Sequence, residues 1–537
     1  MKHPIRFLRS LAVATALACT GTSLMAPPQA VAAEETPVHG GTLTAIIQPE
    51  PPMLILGLNQ QAPTQTVAGK IYESLLTYNF DLSPRPSLAK SWEVSDDGLT
   101  YTFHLQEGVT WHDGEPFTSK DVLFSFTKFL PDTHPRARAL MSRAESITAP
   151  DDRTVVITLK EPFPAFLQGF EMSTTPIMPA HIYEGTDYQN NPNNNTPIGT
   201  GPFMFDEWVK GSYIHLVKNP NYWQEGKPYL DDIYFKVIPD AASRALALEN
   251  GEVMQSQYND IEPFDVQRLA ALPHLQVIRK GYEFVAPLMW LEINHRVEPL
   301  GDKRFRQAIL YALDREFIRD RIWFGLGRVA TGPINSVTKY YDPNVPRYDY
   351  DPDKAIALLD EMGLEPDGDG VRATVKFLPL AYGETWQRLA EYVKQALGKV
   401  GVKVVLESTD AAGWGKRVAN WDYEITTDFL YQYADPSIGV SRTYLSSNIR
   451  QGVLFTNTMG YKNPEVDRLF EEAAKEVDPE KRQDDYSQLQ RLIVEDVPVA
   501  WLLEMEFPNI LNTRVHDAIT TAIGVNETYA DTWISPE

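Results

Sequence analysis

"TVKFLPLAYGETWQRLAEYVKQALGKVGVKVVLES" (Thr374–Ser408) decides the fold class. "TVKFLPL" reads as a strand. In "TWQRLAEYVKQALGKVG" the apolar residues Trp386, Leu389, Val393, Leu397 and Val400 recur every three or four positions, so they share one face of a helix. "VKVVLES" is the next strand, and "DYEITTDFLY" (Asp422–Tyr431) another. Strand, helix, strand at this spacing is a crossover unit, which joins parallel strands.

Upstream, the same style continues. "DKRFRQAILYALDRE" (Asp302–Glu316) is helical, with Phe305, Ile309 and Leu313 on one side. "YDPDKAIALLDEMG" has Asp351 as a cap, Pro352 in the first turn and Gly363 as its stop. The first 250 or so residues after the N-terminal leader differ. "GTLTAIIQ" (Gly41–Gln48), "LTYTFHL" (Leu99–Leu105), "TVVITLK" (Thr154–Lys160), "YIHLVKN" (Tyr213–Asn219) and "DIYFKVI" (Asp232–Ile238) are strands with little helix between them. That predicts antiparallel or mixed pairing. The two halves are therefore expected to be different lobes of an α/β protein. At 537 residues the chain exceeds what one hydrophobic core supports.

The net charge of −23 argues against a nucleic-acid partner, because phosphate binding needs surplus Lys and Arg. The N-terminus is basic at Lys2, Arg6 and Arg9, then apolar in "LAVATALA" (Leu11–Ala18), then small at Ala30, Ala32 and Ala33. That order predicts a secretory signal peptide over residues 1–33, with cleavage between Ala32 and Glu34. The apolar run is too short to span a membrane. The one cysteine, Cys19, lies inside this leader. Lipid attachment there would call for Leu at position 16, which is Ala, with Leu17 one place late. The processed chain is then cysteine-free and a periplasmic location follows.

The ten histidines are scattered, and no two are three or four positions apart. There is no HExxH, no paired Cys-x-x-Cys, no P-loop and no GxSxG. No protein-built metal site, cofactor or catalytic residue is expected. "WHDGEPFTSKD" places His112 beside Asp113 and Glu115, but Asp113-Gly114 is turn chemistry, and Thr118 with Asp121 is a helix cap. "PDGDG" (Pro366–Gly370) lacks the later ligands of a calcium loop and reads as a surface turn. A secreted hydrolase using two distant carboxylates is the competing functional class.

Four blocks together resemble one family. They are "YESLLTYNFDLSPRPSLAKSWEVSDDGLTYTFHLQEGVTWHDGEPFTSKDVLFSF" (Tyr72–Phe126), "GTGPFMFDEWVKGSYIHLVKNPNYW" (Gly199–Trp223), "DKRFRQAILYALDRE", and "GYKNPEVDRLFEEA" (Gly460–Ala473). Their order is similar to that in extracytoplasmic solute-binding proteins of the peptide/nickel class (family 5) of ABC importers. The resemblance implies a two-lobe periplasmic-binding-protein fold with an extra subdomain in the first lobe, of the cluster-C type. Lobe I would cover 38–290, with the subdomain at about 60–195, and be completed by 508–537. Lobe II would cover 291–507, with crossings near Pro287–Asn294 and Leu502–Ile510. It implies a monomer that takes a peptide or peptide-like solute between the lobes and delivers it to an ABC permease in the inner membrane. An opine, a glycoside or a metal chelate is the alternative solute.

"FLYQYADPSIGV" (Phe429–Val440) is then the expected site wall. Peptide-binding relatives place an Asp three residues before the Asp of an Asp-Pro pair, to hold the ligand's ammonium, with an aromatic three residues earlier. Matched on Asp435-Pro436, those positions here are Gln432 and Phe429. The Arg that holds a dipeptide carboxylate aligns with Leu380. The expected ligand-binding residues are Gln432, Tyr431, Tyr433, Phe429, Trp414, Asp435 and Tyr382. With the charge pair missing, the expected solute is amino-blocked, larger, or neutral and polar. Asp428 or Asp435 taking over the anchor is the open alternative.

Overall fold

The computed structural model describes residues 36–257 and 260–536. The leader, with Cys19, lies outside the described residues.

The crossover unit is present. Strand Ala373–Leu378 runs parallel to Val402–Leu406 and to Ile425–Leu430, with helices Glu384–Gly398 and Ala411–Ala419 between them. Trp386, Leu389, Val393 and Leu397 are buried, as their spacing predicts. These strands form one side of a six-stranded sheet. Its order is Arg328–Val329, Val499–Glu504, Leu288–Ile293, Ile425–Leu430, Ala373–Leu378, Val402–Leu406.

The first half of the chain builds most of two other sheets. One has seven strands in the order Leu275–Ile278, Asn509–Asn512, Gln255–Ser256, Thr42–Ile46, Asp232–Lys236, Tyr213–Lys218, Phe203–Val209. Its pairing is mixed: Thr42–Ile46 is parallel to Asp232–Lys236, which is antiparallel to Tyr213–Lys218. The other is a four-stranded antiparallel sheet of Ala89–Val94, Thr100–Leu105, Thr154–Leu159 and Ala144–Asp151. Tyr101, Phe103 and Leu105 are buried on it, in register with their period of two. The result is a two-lobe α/β architecture with an extra subdomain on the first lobe.

Local chemistry sets the helix starts. Asp351 and Asp302 accept from Lys354 N and Arg304 N at 3.0 and 2.8 Å. Thr118 and Asp121 form a reciprocal cap, so this stretch is structural, as its turn chemistry implies.

The chain passes between the two large sheets twice, over residues 279–287 and 505–508. The second pass lies within Leu502–Ile510. The first precedes the expected Pro287–Asn294, because "LMWLEI" (Leu288–Ile293) is an inner strand of the six-stranded sheet. All six of its residues are buried. A strand covered on both faces reads as a continuous apolar run, which sequence alone does not distinguish from a crossing segment.

Candidate ligand-binding site

The segment Phe429–Val440 starts at the end of strand Ile425–Leu430 and continues into the short helix Pro436–Gly439. Gln432 N donates to Val285 O at 2.7 Å, and Ala434 N to Phe284 O at 2.8 Å. The wall is thus stitched to the first interlobe pass. Tyr433 and Ala434 have φ of 48° and 61°. Left-handed backbone costs an L-residue about 1–2 kcal/mol, so these bonds hold a strained turn in place. Gly439 permits the close approach of the helix, since a Cβ there would lie 2.1 Å from Gln432 O and 2.4 Å from Gln432 Cα.

The aromatic residues form a connected series. Phe429 stacks on Trp386 at 5.7 Å and meets Tyr382, Tyr431 and Phe507 edge-on at 6.3, 6.0 and 5.9 Å. Tyr431 meets Tyr433 at 6.0 Å, Tyr433 meets Phe284 at 6.5 Å, and Phe284 meets Tyr78 at 4.7 Å. The series runs from the second lobe across both passes to the first. Tyr382 is 49 % exposed, Phe429 and Tyr431 are half-buried, and Tyr433 is buried. Offset and edge-on pairs add about 0.5–1.5 kcal/mol each beyond area, which stiffens this aromatic series.

The polar candidates are placed differently from expectation. Gln432 is 4 % exposed, and its side chain is occupied within the protein. Its Nε2 donates to Pro333 O at 2.8 Å, while Oε1 accepts from Asn335 N at 2.8 Å and Thr338 Oγ1 at 3.3 Å. It clamps the 333–338 loop. Asp435 is likewise engaged within the protein. It pairs with Arg482 at 3.0 Å, with both side chains under 5 % exposed, and caps the short helix through Ser437 N at 2.9 Å. Asp428 accepts from Phe429 N, and burial, then neighbouring Glu292, raises its carboxyl well above the usual range. That favours its neutral form, which offers an ammonium no counter-charge. Trp414 is buried and donates to Thr426 Oγ1 at 2.8 Å, so it belongs to the packing of its own lobe. Leu380 is buried.

Contacts also join the first and second halves of the chain. Thr385 Oγ1 donates to Glu262 at 2.6 Å, Gln267 Nε2 to Phe324 O at 3.3 Å, and Lys475 pairs with Glu161 at 2.9 Å. Arg136 lies 4.2 Å over the Tyr433 ring. Among the described residues no three His, Cys, Asp or Glu side chains gather to hold a metal ion, and no helix is long and apolar enough to cross a membrane.

The family model for bacterial extracellular solute-binding proteins, family 5 (middle region), matches residues 83–451. The chain belongs to that family. Its members bind solutes outside the cytoplasm; they are transport proteins and not enzymes. The chain is 28 % identical over 498 residues to the oligopeptide-binding protein AppA of Bacillus subtilis, covering 88 % of this chain and 87 % of that protein. The structure of Bacillus subtilis AppA with a nonapeptide superposes with a TM-score of 0.81 at 25 % identity, over 93 % of this chain and 100 % of that one. AgaA from A. tumefaciens R10, in complex with agropinic acid, superposes with a TM-score of 0.79 at 27 % identity, over 93 % of this chain and 99 % of that one.

Several residues at this wall were not singled out from sequence: Phe284, Phe507, Arg136 and Arg442. Arg442 had a readable signal, a cation seven positions past Asp435. The others come from segments distant in sequence, and only folding brings them here.

Proposed function

We propose that this protein is the solute-capturing component of an ABC importer, closing two lobes over a peptide or peptide-like solute and presenting it to an inner-membrane permease. The carrying observation is the wall itself. Phe429, Tyr431 and Tyr433, with Tyr382 at the exposed end, line a segment whose Gln432 and Ala434 amides donate to Val285 O and Phe284 O of the interlobe pass. A solute packed on that wall acts on the hinge directly. Its contacts with both lobes exist only in the closed state, so binding energy favours closure.

In this reading lobe I is 38–290 completed by 508–537, with the subdomain at about 60–195, and lobe II is 291–507. The protein acts as a periplasmic monomer released from its leader. AppA's nonapeptide supports a peptide-like solute. The second reading, a non-peptide solute, is favoured by the internal pairing of Asp435 and the clamped Gln432, and by AgaA's agropinic acid. Either way, a free dipeptide's ammonium would lack a charge-assisted bond worth about 1.5–3 kcal/mol. Free dipeptides are therefore weak ligands.

Small-angle scattering tests the closure. A panel of free dipeptides, N-acetylated peptides, opines and oligosaccharides is first ranked by thermal shift. The best binder should shrink the radius of gyration. Binding confirmed by calorimetry with an unchanged radius would refute the hinge, and dipeptides at the head of the ranking would refute the missing anchor.

A further inference from the structure

Two guanidiniums converge on Tyr433 from opposite lobes. Arg136, in helix Pro135–Met141 of the first lobe's subdomain, lies 4.2 Å from the ring centre. Arg442, in helix Ser441–Tyr444 of the second lobe, lies 5.6 Å from it. Both are fixed in place by neutral oxygens. Arg136 donates through Nη2 to Ser173 O at 2.7 Å and through Nε to Thr174 Oγ1 at 3.3 Å. Arg442 donates through Nε to Gly439 O at 3.1 Å and through Nη2 to Tyr431 O at 3.0 Å. Among the described residues no carboxylate oxygen lies within 4.0 Å of either, and neither Nη1 has a hydrogen-bond partner.

Neither nearby acid forms an ion pair with them. Asp428 is held towards its neutral form by burial and by Glu292. Glu171, in the turn that Arg136 grips, accepts from Ser173 N through Oε2, and its Oε1 is buried without a partner. Burial, with Arg136's charge adding in the same direction, lowers Arg442 to about 10. The two guanidiniums are thus close to one another and short of a counter-ion. Partly buried charge of this kind is unfavourable until an anion pairs with it.

We propose that Arg136 and Arg442 form a carboxylate-binding pair at Tyr433, so the solute presents an acid at the segment where the family resemblance implies an ammonium. This rests on the solute-binding reading and names the chemistry of the solute. A guanidinium is a planar fork that meets a carboxylate with two parallel hydrogen bonds. One fork comes from each lobe, so a carboxylate between them neutralises both and ties the lobes together. The anion then selects the solute and also drives closure. Tyr433 supplies an aromatic face to both cations and fixes their separation.

The test uses the full processed protein, stripped of any copurified solute, and matched probes. N-acetyl-dialanine and N-acetyl-glycyl-tyrosine are each titrated as the free acid and as the C-terminal amide, with maltotriose as a neutral control. The acid should bind wild type about ten- to a hundredfold more tightly than its amide twin. In Arg442→Gln and in Arg136→Gln that preference should fall to within about threefold. Both side chains are half-buried, and the Arg136 variant serves if Arg442→Gln fails to fold. Amides binding as tightly as acids, an acid preference surviving in both variants, or no acid binding at all would each overturn the pair. Amide or maltotriose binding lost in Tyr431→Ala would leave the solute-binding reading standing without it. No binding by any probe, with no compaction, would remove both.

Discussion

Asp435→Asn separates a ligand anchor from a structural acid. Asp435 Oδ1 accepts from Arg482 Nη2 at 3.0 Å and Ser437 N at 2.9 Å, and the two charged side chains are 3 % and 4 % exposed. Asparagine keeps an oxygen for the Ser437 cap and removes the negative charge. Arg482 still donates to Ala473 O and Tyr340 OH, so its guanidinium stays buried with no counter-ion. Breaking one side of such a pair costs about 3–5 kcal/mol. Urea unfolding followed by tryptophan fluorescence should show a loss of that size in the second-lobe transition. Asp435→Leu with Arg482→Met, which removes both charges, should recover most of it. Affinity for the best acetylated probe should be unchanged in whatever fraction stays folded. A stability loss below about 1 kcal/mol together with lost solute binding would refute the reasoning, because Asp435 would then face the solute.

Other outcomes follow from the same contacts. Gly439→Ala should destabilise by about 1–3 kcal/mol through overpacking and weaken every probe, since the new Cβ would displace the Gln432 backbone; equal affinity by calorimetry would count against the strained turn. Trp414→Phe should lower the melting temperature through the lost Thr426 bond but leave probe affinity intact, and a selective loss of affinity would restore Trp414 to the site. Glu73 is enclosed by Tyr222, Thr200 and Trp223, and burial raises it to about 7, so the folded state holds a proton that the unfolded state releases from about pH 4.5 upward. Its contribution to stability is therefore lost as pH rises from 5 through 7, by up to about 3 kcal/mol; Glu73→Gln should flatten this part of the curve, and parallel wild-type and variant melting profiles from pH 5 to 8 would contradict it. Intact mass of the exported protein should place its first residue at 33 or 34, and a lipid-bearing mass beginning at Cys19 would mean an anchored form.

What was legible in the sequence has a physical pattern. The crossover unit, the strands of the first half and the caps at Asp351 and Thr118 all rest on neighbours within a few residues, where periodicity and turn chemistry act. The aromatic series was legible for the same reason: Phe429, Tyr431 and Tyr433 alternate along one short segment. The polar part of the site was not. Gln432 is held by Pro333 and Asn335, and Asp435 by Arg482; these partners are 99, 97 and 47 positions away. An unpaired polar side chain and an internally satisfied one look alike until the fold is known. Arg136 illustrates the converse, an unremarkable surface-helix cation carried to Tyr433 by the subdomain's docking.

The central claim, capture of a solute on the wall at Phe429–Tyr433, is tested most directly by mass spectrometry of the protein isolated from the periplasm of the cell that makes it. Native spectra should show a complex that loses one small molecule on denaturation, present in wild type and absent from Tyr431→Ala and Tyr433→Ala preparations that melt normally. Equal loading of wild type and both variants, or a released molecule that the protein has chemically altered, would contradict the account.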